Sequence, residues 1–269
     1  MNRADPGEPD NTKVFTLATD LDGTFIGGTR AERDELYDWI DAHRDAVELI
    51  FVTGRDLPFI AAACADAEMP WPDYVIGDVG TTIATCDAQR SRIVPDTVLE
   101  ERIEALWGEG IAPISAALDA APGLTPQDGP FRYRMSYHYD PNAFDPTIRT
   151  IIEGAGFDCL ISDDRFLDVL PKGISKGPSL MRLLGRLGTD HAQVLVAGDT
   201  LNDLSLFETG LSGVAVGNAE PALMARIETF DNVHFADAHG AAGVLEAIHA
   251  LGFHETAAKA AKTKKEMMA

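Results

Sequence analysis

The chain has 269 residues, 45% of them hydrophobic, and a formal net charge of -21 from 43 acidic and 22 basic side chains. Such a length and composition suit a globular protein of one large domain or two small ones. So negative a surface repels nucleic acid and anionic membranes, which excludes both as expected partners, and it obliges any phosphate site to carry its own local positive charge.

In chain order, Met1 to Thr12 is polar, rich in Asp, Glu and Pro, and has no signal-peptide-like apolar segment, so a disordered arm is expected at 1–12. Val14 to Thr19 is a short apolar, β-branched run that reads as a buried strand ending at Asp20. Ala31 to His43 has helical spacing, Val47 to Val52 is a second buried strand, and a helix is expected over Leu57 to Ala67. Tyr74 to Ile76 and Thr81 to Thr85 add two short strands, and the alternation of strand and helix argues for a parallel sheet covered on both faces.

The pattern then changes. Thr97 to Trp107 reads as helix, whereas Ala112 to Pro130, rich in Ala, Pro, Gly and Asp, reads mainly as loop. Phe131 to Asp140 alternates strictly, which predicts a half-buried strand. Phe131, Tyr133, Met135, Tyr137 and Tyr139 share its greasy face, and Arg132, Arg134, Ser136, His138 and Asp140 its polar one. A helix near Pro146 to Glu153 and strands near Phe157 to Ile161 and Phe166 to Leu170 complete a separate α+β module.

The first pattern returns with a helix over Lys176 to Leu187 and a buried strand over Gln193 to Ala197. Three further helices, Leu204 to Glu208, Pro221 to Ile227 and Gly243 to Leu251, and a strand over Gly213 to Val216 follow. The expected architecture is α/β: a doubly wound, Rossmann-like parallel-sheet core at 13–85 and 173–252, an inserted α+β cap at 86–172, and a Lys/Ala-rich tail at 253–269. The cysteines Cys64, Cys86 and Cys159 are odd in number and lack metal-ligand spacing, which argues for a reducing cytoplasm rather than a disulfide framework. No apolar run reaches membrane-spanning length, and a monomer is the expected state.

Four chemistry-bearing blocks fall at the carboxyl ends of predicted parallel strands, the edge where open α/β sheets bind ligands. In Asp20-Leu21-Asp22-Gly23-Thr24, one carboxylate can attack as a nucleophile while its neighbour serves as acid and base. In Thr53-Gly54-Arg55, a hydroxyl and a backbone N–H can hold a phosphate oxygen. Lys176 opens a helix and can offset negative charge. Gly198-Asp199-Thr200-Leu201-Asn202-Asp203 brings two more carboxylates, and hard cations such as Mg²⁺ prefer such oxygen ligands. Asp203 and Asn202 would hold the metal or orient Lys176. Each block alone has a plain reading: an Asp-Gly turn, a Thr-Gly turn, a solvated lysine, a helix cap. Converging carboxylates would repel one another, so their conjunction implies both a divalent cation and the lysine.

The four blocks resemble the motifs of the haloacid dehalogenase superfamily, in order, from about Phe15 to Leu251. The resemblance implies that Asp20 is phosphorylated, that Asp22 is the acid/base, and that Thr53, Gly54, Lys176 and Asn202 bind phosphate. It further implies that Mg²⁺ sits on Asp20, Asp199, Asp203 and the backbone carbonyl of Asp22. A cap between the second and third motifs resembles subclass IIB. Within it, the segments Pro72-Asp73-Tyr74, Ser136 to Pro141, Leu167 to Lys172 and Gly217 to Pro221 resemble sucrose-phosphate and mannosylfructose-phosphate phosphatases. The implied activity is hydrolysis of a disaccharide phosphate such as sucrose 6-phosphate, with mannosylfructose phosphate and glucosylglycerol phosphate as alternatives. A phosphomutase and a catalytically silent sugar-binding regulator are the competing classes. Arg134, Ser136, His138, Asp168 and Lys172 are the expected contacts to the sugar.

Overall fold

The computed structural model describes residues 13–108 and 111–259. The expected arm at 1–12 and the end of the expected tail, 260–269, lie outside the described residues. The strands are β1 (Phe15–Thr19), β2 (Val47–Val52), β3 (Tyr74–Gly77), β4 (Thr82–Cys86), β5 (Ile93–Pro95) and β6 (Leu124–Pro126). They continue with β7 (Met135–Tyr139), β8 (Phe157–Ser162), β9 (Phe166–Pro171), β10 (Val194–Gly198), β11 (Ser212–Ala215) and β12 (Val233–Phe235). The helices are α1 (Arg30–Ala42), α2 (Leu57–Ala65), α3 (Thr97–Trp107), α4 (Ala112–Asp119) and α5 (Thr147–Gly154). The last four are α6 (Lys176–Leu187), α7 (Leu204–Phe207), α8 (Pro221–Ile227) and α9 (Gly240–Ala250).

The larger sheet runs β12-β11-β10-β1-β2-β3-β4-β5, parallel from β12 to β3. Its central strands are continuous apolar runs because both faces are covered. Leu17, Leu49, Phe51 and Leu195 pack in one layer with α1 and α9, while Ala18, Ile50, Val52 and Val196 pack in the other with α6. Chain order reverses between β1 and β10, so the crevice of a doubly wound sheet opens beyond their carboxyl ends. Asp20 follows β1 and Asp199 follows β10.

The smaller sheet, β6-β7-β9-β8, is antiparallel. Tyr137, Leu167 and Val169 pack against Ile114, Leu118, Ile148 and Ile152 of α4 and α5. The opposite face carries Ser136 and Asp168, paired across β7 and β9. This separates greasy and polar faces as period-two alternation predicts.

Several expectations are corrected. The stretch read as loop from residue 112 holds α4 and β6, because Pro113 sits in the first helical turn, where no donor is lost, and Ile114 and Leu118 are buried one turn apart. The alternating strand begins at Met135 rather than Phe131. Arg132 and Arg134 reach for partners on the larger sheet, and Phe131 and Tyr133 lie against their guanidinium groups at 4.2 and 5.0 Å instead of on the helices. β4 and β5 run antiparallel to their neighbours. β5 and α3, expected in the inserted module beyond residue 86, belong by pairing and packing to the larger sheet: β5 bonds to β4, and Leu99 and Ile103 sit in that core. The expected tail begins docked, since residues 253–259 are helical, with Ala257 buried and Phe253 stacked on Phe15 at 4.6 Å.

Candidate active site

The nucleophile candidate is fixed by its strand. The Asp20 N–H donates to Ala197 O at 2.9 Å, extending the β1–β10 ladder by one residue and leaving the side chain at the sheet edge, almost wholly buried. The chain then turns sharply through Gly23, whose φ is +77°. A Cβ on Gly23 would lie 2.1 Å from Asp199 Oδ2, so only glycine lets the turn approach this carboxylate. Thr24 Oγ1 donates to Asp199 Oδ1 at 2.9 Å, which ties the first block to the fourth.

Lys176 is fully buried at the start of α6. Its Nζ donates to Asp20 Oδ1 at 2.7 Å, Asn202 Oδ1 at 2.6 Å and Asp203 Oδ1 at 2.6 Å. Those three bonds use all the donors of an ammonium. Asp203 Oδ2 accepts from the N–H groups of Asp199 and Thr200, both at 3.0 Å. Both oxygens of Asp203 are thereby engaged, one on the lysine and one capping the turn. Asp20 Oδ1 and both Asp203 oxygens are thus taken up by the lysine and the turn, whereas Asp199 Oδ2 meets, among the described residues, only the Asn218 amide, at 3.5 Å.

Oxygens of Asp20, Asp199 and Asp203 lie within 4.8 Å of one another. Burial pushes Asp20 well above the ordinary carboxylate range; Lys176 opposes the shift, and Asp203 and Asp199 add to it. Asp199 is pushed up to about 7 by burial, then by Asp203. Burial alone would lower the Lys176 ammonium, but Asp20 and Asp203 outweigh it and hold the lysine charged. Fully ionised, three carboxylates against one ammonium would leave two negative charges, the deficit that one divalent cation would fill. The all-oxygen donor set suits Mg²⁺.

The second block stands opposite. Thr53 is buried, its N–H donates to Ile76 O at 2.8 Å, and its Oγ1 accepts from the Arg55 N–H at 3.1 Å. The carbonyl of Gly54 accepts from Arg134 Nη2 at 2.9 Å. Asp22 does not join the buried cluster. Its side chain is 49% exposed and gripped by Arg55, Nε to Oδ2 at 2.8 Å and Nη2 to Oδ1 at 2.6 Å. Arg55 itself lies 4.3 Å over the Phe59 ring.

Of the expected sugar contacts, Ser136 and Asp168 are brought together, with Ser136 Oγ donating to Asp168 Oδ1 at 2.5 Å. Arg134 is buried beside them, 3.3 Å from both Asp168 Oδ1 and Asp78 Oδ1. His138 remains exposed on the same face, its ring 6.0 Å from Phe166. Lys172 is not brought to the site; it is exposed and paired with Asp158 at 2.6 Å. A cleft of about 250 Å³ separates the two sheets on the Asn202 side, lined by Asp158, Cys159, Leu160, Ser175, Asn202 and Leu204 among others.

Sequence reasoning missed Asn218 and Asp78. Asn218 Nδ2 donates to Gly23 O at 3.0 Å and lies 3.5 Å from Asp199 Oδ2, while its Oδ1 accepts from the Gly240 N–H at 2.8 Å. Its signal was position, just past the parallel strand β11. Asp78 is hidden in the Asp78–Gly80 turn, which joins β3 to β4.

Fold and site together define a haloacid dehalogenase-like hydrolase with an inserted cap. Residues 13–252 match the model of the sucrose-6F-phosphate phosphohydrolase family. The chain belongs to that family, and it is a phosphatase. It is 32% identical to the mannosylfructose-phosphate phosphatase of Agrobacterium fabrum over 250 residues, 88% of this chain and 97% of that one. It is 42% identical over 238 residues to the glucosylglycerol-phosphate synthase of Pseudomonas anguilliseptica, but those residues span 88% of this chain and only 31% of the synthase. The sucrose-phosphatase of Synechocystis, solved with sucrose and phosphate, superposes with a TM-score of 0.79 at 27% identity, covering 89% of this chain and 98% of that one. Among the described residues, no helix is long and apolar enough to cross a membrane.

Proposed function

We propose that the chain hydrolyses the phosphate ester of a small glycoside through an aspartyl-phosphate on Asp20, with Mg²⁺ as cofactor. The observation that carries this reading is the buried Asp20–Lys176–Asp203 constellation beside Asp199. Asp20 Oδ1 is held by Lys176, so Oδ2 attacks phosphorus and the ester P–O bond breaks. The leaving alkoxide takes a proton from Asp22. A water deprotonated by Asp22 then attacks the phosphorus of the acyl phosphate, releasing inorganic phosphate and the Asp20 carboxylate. To act, Asp22 must exchange Arg55 for the leaving group. Thr53 Oγ1 and the Gly54 N–H bind the phosphoryl oxygens; Lys176, whose three donors are engaged, must release one acceptor to join them. Asp20, Asp199 and the Asp22 carbonyl would hold the cation, which when bound would supply charge neutralisation of the transferring phosphoryl group. Asp203, with both oxygens engaged, acts by positioning Lys176, and Asn202 shares that task.

For the substrate, the identity to a glucosylglycerol-phosphate synthase favours glucosylglycerol phosphate. A longer protein holding both a synthase and this fold would make the ester and then cleave it. The reading by which sucrose 6-phosphate is the substrate draws on the family model and on the likeness to a sucrose-bound phosphatase. We assign the reading of sugar hydroxyls to Ser136, Asp168 and His138, which share the polar face of the smaller sheet. The test is kcat/KM for glucosylglycerol phosphate, sucrose 6-phosphate, mannosylfructose phosphate and glucose 6-phosphate in Mg²⁺. The reading expects the first to exceed the rest by at least about tenfold, since one well-met hydroxyl in a polar site discriminates by more than that. Equal rates on all four would defeat the substrate assignment, and a need for a sugar bisphosphate with little free phosphate released would point to a mutase.

A further inference from the structure

The phosphatase chemistry leaves one buried ion-pair network unused, and it spans the two sheets. Arg134 precedes β7 in the cap. Its Nη2 donates to Gly54 O at 2.9 Å and lies 3.3 Å from Asp78 Oδ1, both on the larger sheet's loops; its Nη1 lies 3.3 Å from Asp168 Oδ1 in the cap. Arg134, Asp78 and Asp168 are each at least nine-tenths buried. Two atoms of this cluster, Arg134 Nε and Asp78 Oδ1, are buried without a hydrogen bond.

Asp78 occupies an unusual turn. Asp78 and Val79 have φ of +52° and +58°, a region that a β-branched residue rarely adopts, so surrounding contacts must hold the backbone there. Those contacts reach both halves of the phosphate site. The Asp78 N–H donates to Arg55 O and the Val79 N–H to Thr53 O, both at 3.0 Å. Gly80 O accepts from Ser179 Oγ at 2.6 Å, and a Cβ on Gly80 would lie 2.3 Å from Ser175 C, at the base of Lys176. The Asp78 side chain is held in turn by Thr82 Oγ1 at 2.8 Å.

We infer that Arg134 and Asp78 form a latch that seats the cap and couples its docking to the loop and helix that hold the phosphate. The inference rests on the sugar-phosphatase reading and adds two positioning residues to it. A buried ion pair suits this task. Its desolvation cost roughly cancels its attraction, so the latch can close and open without a deep trap. Burial pushes Asp78 and Asp168 above the ordinary carboxylate range while Arg134 opposes, in keeping with that balance. When the cap lifts, water can replace both partners, and neither charge is stranded. A glycoside engaging Ser136 and Asp168 would add the free energy that tips the latch closed.

The test uses the full chain with Asp78→Asn, Arg134→Met and the double variant. Asparagine tolerates the left-handed backbone at this position, so the turn survives. Amide exchange is measured without any ester, and kcat and KM are measured on glucosylglycerol phosphate and on p-nitrophenyl phosphate. Asp78→Asn is expected to speed exchange at 53–55 and 134–139. It should lower kcat/KM for the glycoside phosphate by on the order of tenfold to a hundredfold while changing the small ester less than about threefold. The double variant should be no worse than the poorer single one, as expected of residues that act as a pair. Wild-type exchange in Asp78→Asn, equal losses on both esters, or purely additive effects would overturn the latch. Because exchange needs no substrate, it decides the latch even where the glycoside assignment fails.

Discussion

At the residue scale, the site is a charge-balance problem. Lys176 holds three acceptors at once, and losing it leaves three buried carboxylates without a cation. Lys176→Met is therefore expected to abolish turnover and to destabilise the metal-free protein by about 3–5 kcal/mol, the usual effect of stranding buried charge; urea denaturation in EDTA measures it. Asp199 gives the opposite sign. Its carboxyl rises from 3.8 to about 7 in the fold, so the native metal-free state binds the extra proton between those values. The stabilisation it contributes is present below pH 3.8 and lost as pH rises through about 7. In EDTA, the urea midpoint of wild type relative to Asp199→Asn should thus fall between pH 5.5 and 7.5; a relative midpoint that climbs over that range would contradict the repulsion described. Gly23 is the steric counterpart, because a methyl there would sit on Asp199 Oδ2.

At the element scale, the turn between β3 and β4 touches both the Thr53 loop and the start of α6 that carries Lys176. Gly80 has φ of +101°, and its α-carbon faces the backbone of Ser175 and Lys176. Gly80→Ala combines backbone strain with a main-chain clash, and is expected to cost about 2 kcal/mol or more and to displace α6. A thermal melt with kcat beside it checks this: loss of both is predicted, and an unchanged kcat would show that the turn does not set the lysine. The blocks of the candidate site were legible in the sequence because Asp20, Thr53 and Asp199 each follow an apolar strand, and because Lys176 opens a strongly patterned helix. Asp78 was not legible, since its role depends on a long-range partner, Arg134, and its turn follows no familiar residue preference. α4 was hidden by composition: Pro113 reads as a breaker unless the helix start is known. The cap strand was overextended for a related reason. Alternation continues through Phe131 to Arg134, but ion pairs to the other sheet win over strand pairing there.

At the scale of the whole molecule, the strand order opens a crevice at the switch between β1 and β10, where the proposed site lies. The buried carboxylates Asp20, Asp199 and Asp203 face a single ammonium, Lys176, so on the proposed reading a bound cation stabilises the fold as well as serving the reaction. Mg²⁺ at about a hundred times its Kd should therefore raise the Tm by about 5–10 °C, a stabilisation of about 2.7 kcal/mol. Asp199→Asn should erase most of that rise; an equal rise in the variant would place the metal elsewhere.

The measurement that bears most directly on the site is capture of the covalent intermediate. The protein is mixed with a turned-over phosphate ester in Mg²⁺, quenched in acid within milliseconds, digested with trypsin and mapped by mass spectrometry. A phosphate is predicted on the peptide covering residues 14–30, assigned to Asp20, labile to hydroxylamine, and absent in Asp20→Asn and in EDTA. Rapid phosphate release with that peptide unmodified, or a phosphate on another residue, would contradict Asp20 as the nucleophile.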